Sequence, residues 1–262
     1  MQEIIITTVV IGVIGLIIGI ALVAAGKKFY VAVDEKAIAV RECLPGNNCG
    51  ACGYAGCDAV AAAIAAGDAP VNACPVCSAD AVAKIGGVMG VEAEAAERKT
   101  AQVKCSGDCE HTSAKCNYVG IEDCRAAALA GLNTGSCTFG CLGYGSCVKA
   151  CTYDAIHVVN GVAKVDKSKC VGCGMCAKAC PKGLIEVLRA DRTFVVQCSN
   201  KDRGPAVKKV CSAGCLGCGA CVKQCEHDAI HLEGNLAYID YDKCVGCGKC
   251  AEKCPAKNIV RQ

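Results

Sequence analysis

The chain opens with one long apolar run. From Ile4 to Ala25 there is no ionisable side chain, and this length is close to the ~20 apolar residues that a helix needs to cross a bilayer. The pattern predicts a single transmembrane helix within residues 1–26. A cleaved signal peptide is the alternative, but its apolar region is shorter, about 7–15 residues, and begins with basic residues, whereas this chain carries Glu3 there.

Two basic residues, Lys27 and Lys28, follow the apolar run directly. Because lysine and arginine flanking a span remain on the cytoplasmic side, the rest of the chain is predicted to be cytoplasmic. The protein is therefore expected in the cell membrane as a single-pass protein whose main part lies in a reducing compartment.

Beyond the anchor the apolar pattern is made of short segments. An alanine-rich stretch from about Asp58 to Ala66 predicts a helix, and residues 78–104 carry an Ala- and Glu-rich helical pattern. Short β-branched runs flank Asn160-Gly161, a strong two-residue hairpin signal, with Val162–Val165 as the second strand. These elements indicate several small units.

Composition explains how such small units are held together. The chain has 262 residues, of which 28 are Cys, while Trp is absent and Phe numbers 3. A cysteine content above roughly 8–10% indicates a fold organised by cross-links or metal centres. The net charge of +3, with no basic run interleaved with aromatics, gives no indication of nucleic-acid binding.

Part of the cysteine pattern is duplicated with an offset of 74 residues, and Cys124 matches Cys198 at the same offset. The string Asp154-Ala-Ile-His157 likewise recurs as Asp228-Ala-Ile-His231. The chain thus contains two copies of one unit. The repeated cysteines are Cys137, Cys141, Cys147, Cys151, Cys170, Cys173, Cys176 and Cys180, which recur as Cys211, Cys215, Cys221, Cys225, Cys244, Cys247, Cys250 and Cys254.

The spacing C-x2-C-x2-C-x3-C-P occurs at Cys170–Pro181 and Cys244–Pro255, and Cys215–Cys225 repeats it without the proline. Three thiolates at this spacing hold one cubane cluster, while the fourth reaches a second cluster. Disulfides are rare in the cytosol, and zinc ribbons use paired C-x2-C groups at longer separations. The spacing therefore favours iron–sulfur binding.

Residues 137–187 and 211–261 each resemble a bacterial two-cluster ferredoxin module. In the second module, this resemblance implies two ligand sets, Cys215, Cys218, Cys221 and Cys254 for one cluster, and Cys225, Cys244, Cys247 and Cys250 for the other.

The first module departs from the pattern because Tyr144 stands where its duplicate has Cys218. We expect Cys137 to supply the missing thiolate; a three-iron cluster on the remaining three cysteines is the alternative. The expected sets are Cys137, Cys141, Cys147 and Cys180, and Cys151, Cys170, Cys173 and Cys176.

A different motif lies nearer the membrane, with cysteines Cys49, Cys52, Cys57 and Cys74 at the spacing C-x2-C-x4-C-x16-C. Composition alone also allows a zinc site here. The string Cys-Gly-Ala-Cys-Gly-Tyr-x-Gly-Cys after Leu-Pro-Gly, following one spanning helix, resembles the B subunit of Rnf ion-translocating electron-transport complexes, in the longer form with two ferredoxin modules.

The resemblance implies an electron-relay subunit of a membrane ferredoxin:NAD oxidoreductase. Partners would be integral membrane subunits, a flavin- and NAD-bearing subunit, and soluble ferredoxin. The sequence has no nucleotide-binding glycine motif, and we expect no catalytic or substrate-converting site on this chain; His157 and His231 receive no role. Lys201, Arg203, Lys208 and Lys209 either steer an acidic ferredoxin or form a solvated face.

The residues by themselves also allow two other functions. A polyferredoxin subunit of another membrane enzyme, such as a hydrogenase, shares the ferredoxin modules but has no need of the Cys49–Cys74 motif. A structural zinc or disulfide protein without redox activity is the third candidate, which metal analysis would distinguish.

Five [4Fe-4S] clusters are expected, or six if a group around Cys105, Cys109 and Cys124 binds one, with Cys116, Cys198 or Cys211 as a candidate fourth ligand. Cys43, Cys77 and Cys211 are otherwise small buried hydrophobes. The fold class is α+β, with a transmembrane anchor at 1–26, a four-Cys domain at 27–90, a linker at 91–132, and ferredoxin modules at 133–190 and 191–262.

Overall fold

The N-terminal segment is one helix. A computed structural model describes residues 2–28, 34–92, 97–131 and 134–261, and within the first helix the side chains of residue 6 and residues 12–28. Helix α1 spans Gln2–Lys28, and its Leu16 and Leu22 side chains are 65% and 67% exposed. Among the described residues, no helix has the length and hydropathy of a membrane span. The other side chains of the apolar run lie outside the described residues.

A three-helix domain follows. It comprises α2 (Glu35–Cys43), α3 (Cys57–Ala66) and α4 (Ala79–Met89). The Asp34 and Ser78 side chains cap the first turns of α2 and α4 by accepting backbone N–H groups, as N-cap residues commonly do. Val40, Val60, Ile64 and Ile85 form the buried core. The helix predicted at Asp58–Ala66 is confirmed, beginning one residue earlier.

The first ferredoxin module combines two small sheets with short helices. Its elements are β1 (Lys99–Val103), α5 (Cys124–Leu129), α6 (Ser146–Lys149), β2 (Ile156–Val159), β3 (Val162–Val165), α7 (Met175–Ala179) and β4 (Ile185–Arg189). Strand β1 pairs antiparallel with β4, and β2 pairs antiparallel with β3. Asn160 and Gly161 both have positive φ, so the predicted hairpin is confirmed, with the turn that its sequence favours.

The helical pattern predicted over residues 78–104 is correct only for α4. Lys99–Val103 form strand β1 instead, with Thr100 to Val103 buried against the module. The reason is tertiary pairing: the partner strand β4 lies about 85 residues away in sequence, and burial of this kind overrides local propensity. The predicted boundary between 132 and 133 lies outside the described residues.

The second module repeats this arrangement. Its elements are β5 (Phe194–Val196), α8 (Gly204–Val210), α9 (Ala220–Gln224), β6 (Ile230–Glu233), β7 (Leu236–Ile239), α10 (Lys249–Glu252) and β8 (Ile259–Arg261). Strand β5 pairs with β8, and β6 pairs with β7. The strand β5 thus occupies in module 2 the place that β1 occupies in module 1. The two modules are structural duplicates, as the repeat predicts.

Candidate metal centres

Three cavities in the ferredoxin modules are each lined by four cysteines. Each set of four is one of those that the ferredoxin pattern predicts. The first cavity contains Cys151, Cys170, Cys173 and Cys176; the second, Cys215, Cys218, Cys221 and Cys254; the third, Cys225, Cys244, Cys247 and Cys250. Within the described residues, no group of three or more His, Cys, Asp or Glu side chains is arranged to hold a single metal ion.

Glycines allow the cysteine loops to approach neighbouring backbone. Gly172 has φ +67°, and a β-carbon there would lie 2.5 Å from the Lys99 carbonyl oxygen; Gly217 has φ +62°, with a β-carbon 2.5 Å from the Asn235 carbonyl oxygen. An L-residue would be strained at both positions. The C-x2-C turns therefore need glycine in order to fold around the cavities.

Backbone N–H groups point at the sulfurs in a repeated pattern. Ala155 N–H donates to the Cys151 Sγ at 3.5 Å, and Ala229 N–H donates to the Cys225 Sγ at 3.4 Å. The equivalent bonds from Leu184 to Cys180 and from Asn258 to Cys254 measure 3.5 and 3.4 Å. Hydrogen bonds to ligand sulfurs stabilise the charge on a thiolate and influence cluster potential.

The cysteine side chains are held in a poorly solvated environment. Burial, together with neighbouring thiolates, raises the pKa of Cys176 and Cys221 to about 11 and that of Cys147 to about 12. Burial disfavours a bare thiolate, so these groups suit a cationic partner that binds the deprotonated form. A set of four convergent soft thiolates is the donor set that iron–sulfur clusters use.

At the position of Tyr144, the structure differs from the sequence-based expectation. The thiol that lies near Cys141, Cys147 and Cys180 is that of Cys124 at the start of α5, and not that of Cys137. The Tyr144 ring packs on Tyr118, with ring centroids 5.2 Å apart. Cys124 thus takes the place that Cys218 has in the duplicate module.

Helix α5 is fixed in this position by Ser146, which precedes Cys147. The Ser146 hydroxyl accepts the Cys124 N–H at 2.7 Å and donates to the Asp123 carboxylate at 2.8 Å. This contact holds the start of α5 beside α6, and no spacing pattern in the sequence indicates it.

Cys137 instead lines a fourth cavity, together with Cys105, Cys141, Cys198 and Cys211. Of the three residues predicted for a sixth site, only Cys105 lies there. Cys109 is exposed and packs against Gly161, where a β-carbon would come within 2.8 Å of its sulfur; Cys116 is also exposed. Cys137 and Cys211 are duplicates of each other in the 74-residue repeat, and the structure brings both to this cavity.

The cysteines of the N-terminal domain lie around α3. Cys57 and Cys74 are buried in one core, with Cys43, Cys52 and Cys77 packed against it. The Asn48 side chain accepts the Cys57 N–H at 2.7 Å. The Cys77 thiol donates a hydrogen bond to Cys74, and this bond lowers the pKa of Cys74 to about 6.

This domain contacts the first ferredoxin module through one hydrogen bond. The Asn47 side-chain amide donates to the Tyr153 hydroxyl at 2.7 Å. Tyr153 also lies near Cys49 and Cys173, and its burial raises its pKa. The contact therefore brings a cysteine of the four-Cys motif near a cysteine of the first module.

The two histidines of the repeated string are exposed. His157 lies beside Asp154, and His231 lies beside Glu233 and the Tyr238 ring. Neither His157 nor His231 lines the cysteine cavities described above.

The duplicated modules and their cysteine cavities define an iron–sulfur protein of the ferredoxin type. Family descriptions agree: a "Putative Fe-S cluster" family matches residues 44–76, a "4Fe-4S binding domain" matches 163–186, and a "4Fe-4S dicluster domain" matches 214–258.

Three similar proteins cover most of the chain. The B subunit of the Na⁺-translocating ferredoxin:NAD⁺ oxidoreductase complex of Acetobacterium woodii is 44% identical over 89% of this chain and 71% of that protein. The B subunit of the proton-translocating complex of Clostridium ljungdahlii is 41% identical, over 92% and 85%. The B subunit of the ion-translocating oxidoreductase complex of Methanosarcina acetivorans is 39% identical, over 94% of each. The chain belongs to the family of Rnf complex B subunits.

Proposed function

We propose that this chain is the membrane-anchored electron-relay subunit of an ion-translocating ferredoxin:NAD oxidoreductase complex. It passes electrons between reduced ferredoxin and partner subunits that carry flavin and bind NAD. The observation that carries the proposal is the set of cavities lined by four cysteines, repeated in two ferredoxin modules. Similarity to subunits of complexes named for this reaction supports it.

The chain binds five [4Fe-4S] clusters in this proposal, and each would supply a one-electron redox centre when bound; three of the sites are supported by the cavities lined by four cysteines. Two ligand sets belong to module 2 and are those predicted. In module 1 the fourth ligand beside Cys141, Cys147 and Cys180 is Cys124, which replaces Cys137. The remaining sets are Cys151, Cys170, Cys173 and Cys176, and the membrane-proximal Cys49, Cys52, Cys57 and Cys74.

The contribution of the protein is to hold these groups near one another and to tune them. In module 1 the two sites are neighbours, since Cys176 lies close enough to Cys147 to raise its pKa. The Asn47–Tyr153 contact joins the membrane-proximal domain to the same module. Backbone N–H groups at the sulfurs and the burial of the thiols set the electrostatic environment of each centre.

We also assign α1 as the membrane anchor and the cysteine-rich domains to the cytoplasmic side. The support is the apolar run, the exposed Leu16 and Leu22 side chains on α1, and the lysines that follow. If the anchor is correct, full-length protein stays in the membrane pellet after an alkaline carbonate wash; release into the supernatant would contradict it.

The proposal is tested by measuring iron, acid-labile sulfide and zinc in the full-length protein purified without air. Five clusters predict about 20 iron atoms per chain with equal sulfide, and six predict about 24, since each cluster contains four of each. Zinc with little sulfide would make the chain a structural metal protein and would refute the relay function.

A further inference from the structure

The fourth cysteine cavity lies between the two ferredoxin modules. Five cysteines line it: Cys141, already assigned to a centre of module 1, and two pairs, Cys105 with Cys137 from the segment before and at the start of module 1, and Cys198 with Cys211 from the same part of module 2. Because neither pair belongs to the ligand sets proposed above for the ferredoxin centres, the four paired cysteines are additional to those centres.

The four cysteines are related by the duplication. Cys137 and Cys211 occupy the same place in the 74-residue repeat. Cys105 stands two residues after β1 and Cys198 stands two residues after β5, and the preceding residues make equivalent backbone bonds, Lys104 N–H to the Leu184 carbonyl and Gln197 N–H to the Asn258 carbonyl. Each module therefore presents the same two thiols to the cavity.

The hydrogen bonds to these sulfurs are duplicated as well. Cys215 N–H donates to the Cys198 Sγ at 3.3 Å, and the equivalent Cys141 N–H donates to Cys105. Asn200 N–H donates to the Cys198 Sγ at 3.4 Å, and Gly107 N–H donates to Cys105. Two backbone donors at each sulfur favour its negatively charged thiolate form.

The contacts across the module boundary bring the two pairs together. The Asn200 side chain, 1% exposed, donates from Nδ2 to the Cys137 Sγ at 3.5 Å. On the other side, a β-carbon at Gly107 would lie 3.2 Å from the Cys211 Sγ and 3.8 Å from the Cys105 Sγ. Only a residue without a side chain leaves this space between the sulfurs open.

Segment 106–112 is also tied to module 2. The Ser106 hydroxyl donates to the Gln197 side chain at 2.8 Å, and the Thr112 hydroxyl donates to the Val210 carbonyl at 2.8 Å. These polar contacts thus help to hold the two modules together around the cavity.

We infer that Cys105, Cys137, Cys198 and Cys211 bind a further [4Fe-4S] cluster that bridges the two ferredoxin modules. The inference rests on the proposed function only in that the modules themselves bind clusters. Cys105 accepts from the backbone of Cys141, a ligand of module 1, and Cys198 accepts from the backbone of Cys215, a ligand of module 2. The bridging site is therefore next to one centre of each module, and it gives electrons a route from one module to the other.

The test counts clusters by the intact mass of full-length protein, kept folded and free of air. Wild-type protein should contain six clusters, and the variants Cys198→Ser and Cys211→Ser should each contain less iron, by about one atom if a three-iron cluster remains at the bridging site and by about four if that cluster is lost. As matched controls, Cys109→Ser and Cys116→Ser change exposed thiols outside the cavity and should retain six.

A wild-type mass corresponding to five clusters, or to five clusters and a single zinc ion, would overturn the bridging cluster and leave the proposed relay function intact. Retention of all six clusters in both Cys198→Ser and Cys211→Ser would overturn the ligand assignment. Absence of clusters from the wild-type protein would instead refute the proposed function. If a variant fails to fold and loses every cluster, the cluster counts of the wild type and of the two control variants still decide whether a sixth cluster is present.

Discussion

Tyr144 is the residue at which the two modules differ most in their chemistry. In module 2 the equivalent residue is Cys218, which lines a cluster cavity. In module 1 the tyrosine packs on Tyr118, and Cys124 approaches the site from α5. In module 1 a thiol from a different segment of the chain thus lies beside Cys141 and Cys147, where module 2 has a cysteine of the loop itself.

This substitution predicts a specific rescue. Cys124→Ser should convert the module 1 centre into a three-iron cluster, because the iron that Cys124 would bind loses its thiolate. The double variant Cys124→Ser/Tyr144→Cys should restore four irons by returning the cysteine to its ferredoxin position. Electron paramagnetic resonance of the oxidised protein distinguishes the two cluster types.

The control for this experiment is Cys116→Ser, which changes an exposed thiol and should leave the spectrum unaltered. A three-iron signal from Cys137→Ser, with none from Cys124→Ser, would restore the assignment made from the sequence.

Gly172 is required by its backbone conformation and by the close approach of strand β1. Gly172→Ala should lower the temperature at which the visible absorbance of the clusters is lost, because a left-handed conformation costs an L-residue about 1–2 kcal/mol and the new β-carbon meets the Lys99 carbonyl of β1. Gly183→Ala is the matched control, with φ +61° and no atom within 4 Å of the β-carbon. If the two variants lost their visible absorbance at the same temperature, the contact of residue 172 with β1 would have no effect on stability.

At the scale of elements, β1 is where the structure differs most from the elements predicted from the sequence. The sequence predicts helix and linker for this region, yet β1 completes the sheet of module 1 through β4. Its Ala101 N–H also donates to the Cys170 Sγ at 3.3 Å. The strand thus positions two cysteines, Cys170 by a direct bond and Cys105 by ending two residues before it.

The loop that contains Asn47 makes a contact between the N-terminal three-helix domain and module 1. Tyr153→Phe removes the hydroxyl that accepts from the Asn47 amide, a bond worth about 0.5–1.5 kcal/mol. We expect faster backbone hydrogen exchange around residues 47–57 in this variant, measured by mass spectrometry. Tyr238→Phe, on an exposed tyrosine of β7, should leave exchange there unchanged; the same exchange in both variants would argue against a stabilising contact.

At the scale of the whole molecule, the cysteine sites form a continuous series. It begins in the N-terminal three-helix domain, continues through both sites of module 1 and the bridging cavity, and ends with the two sites of module 2. The steps as far as module 2 are marked by contacts named above: Tyr153, the Cys147–Cys176 neighbours, and the bonds of Cys105 and Cys198 to the backbone of the adjacent cysteines. This order suits a relay that connects a soluble donor with membrane-bound partners.

An exposed basic surface around α8 lies on the second module and comprises Lys201, Arg203, Lys208 and Lys209. Such a surface attracts an acidic donor over a distance set by ionic strength. The double variant Lys208→Glu/Lys209→Glu should therefore slow reduction by ferredoxin several-fold at low salt, and the difference should disappear near 1 M salt, where the screening length is about 3 Å.

Stopped-flow reduction at several salt concentrations makes this measurement. Lys84→Glu, an exposed position on α4, is the control for a charge change elsewhere. Equal rates for the α8 variant and the wild type at low salt would leave these residues as a solvated face without a docking role.

The sequence by itself determined the duplication, the hairpins and three of the cysteine sets, because ferredoxin ligands lie close together in the chain and their spacing is fixed by the cluster. The tertiary structure alone decided where Cys124 and Cys137 lie, and which thiols accompany Cys105. At the offset of 74 residues, Cys124 matches Cys198 in the sequence. In the fold, however, Cys105 is the residue of module 1 that is equivalent to Cys198. The reason is that β1, and not residues 120–122, pairs with β4. Pairing between distant strands and contact between modules leave no periodic trace in the sequence, so the positions of these thiols follow only from the folded chain.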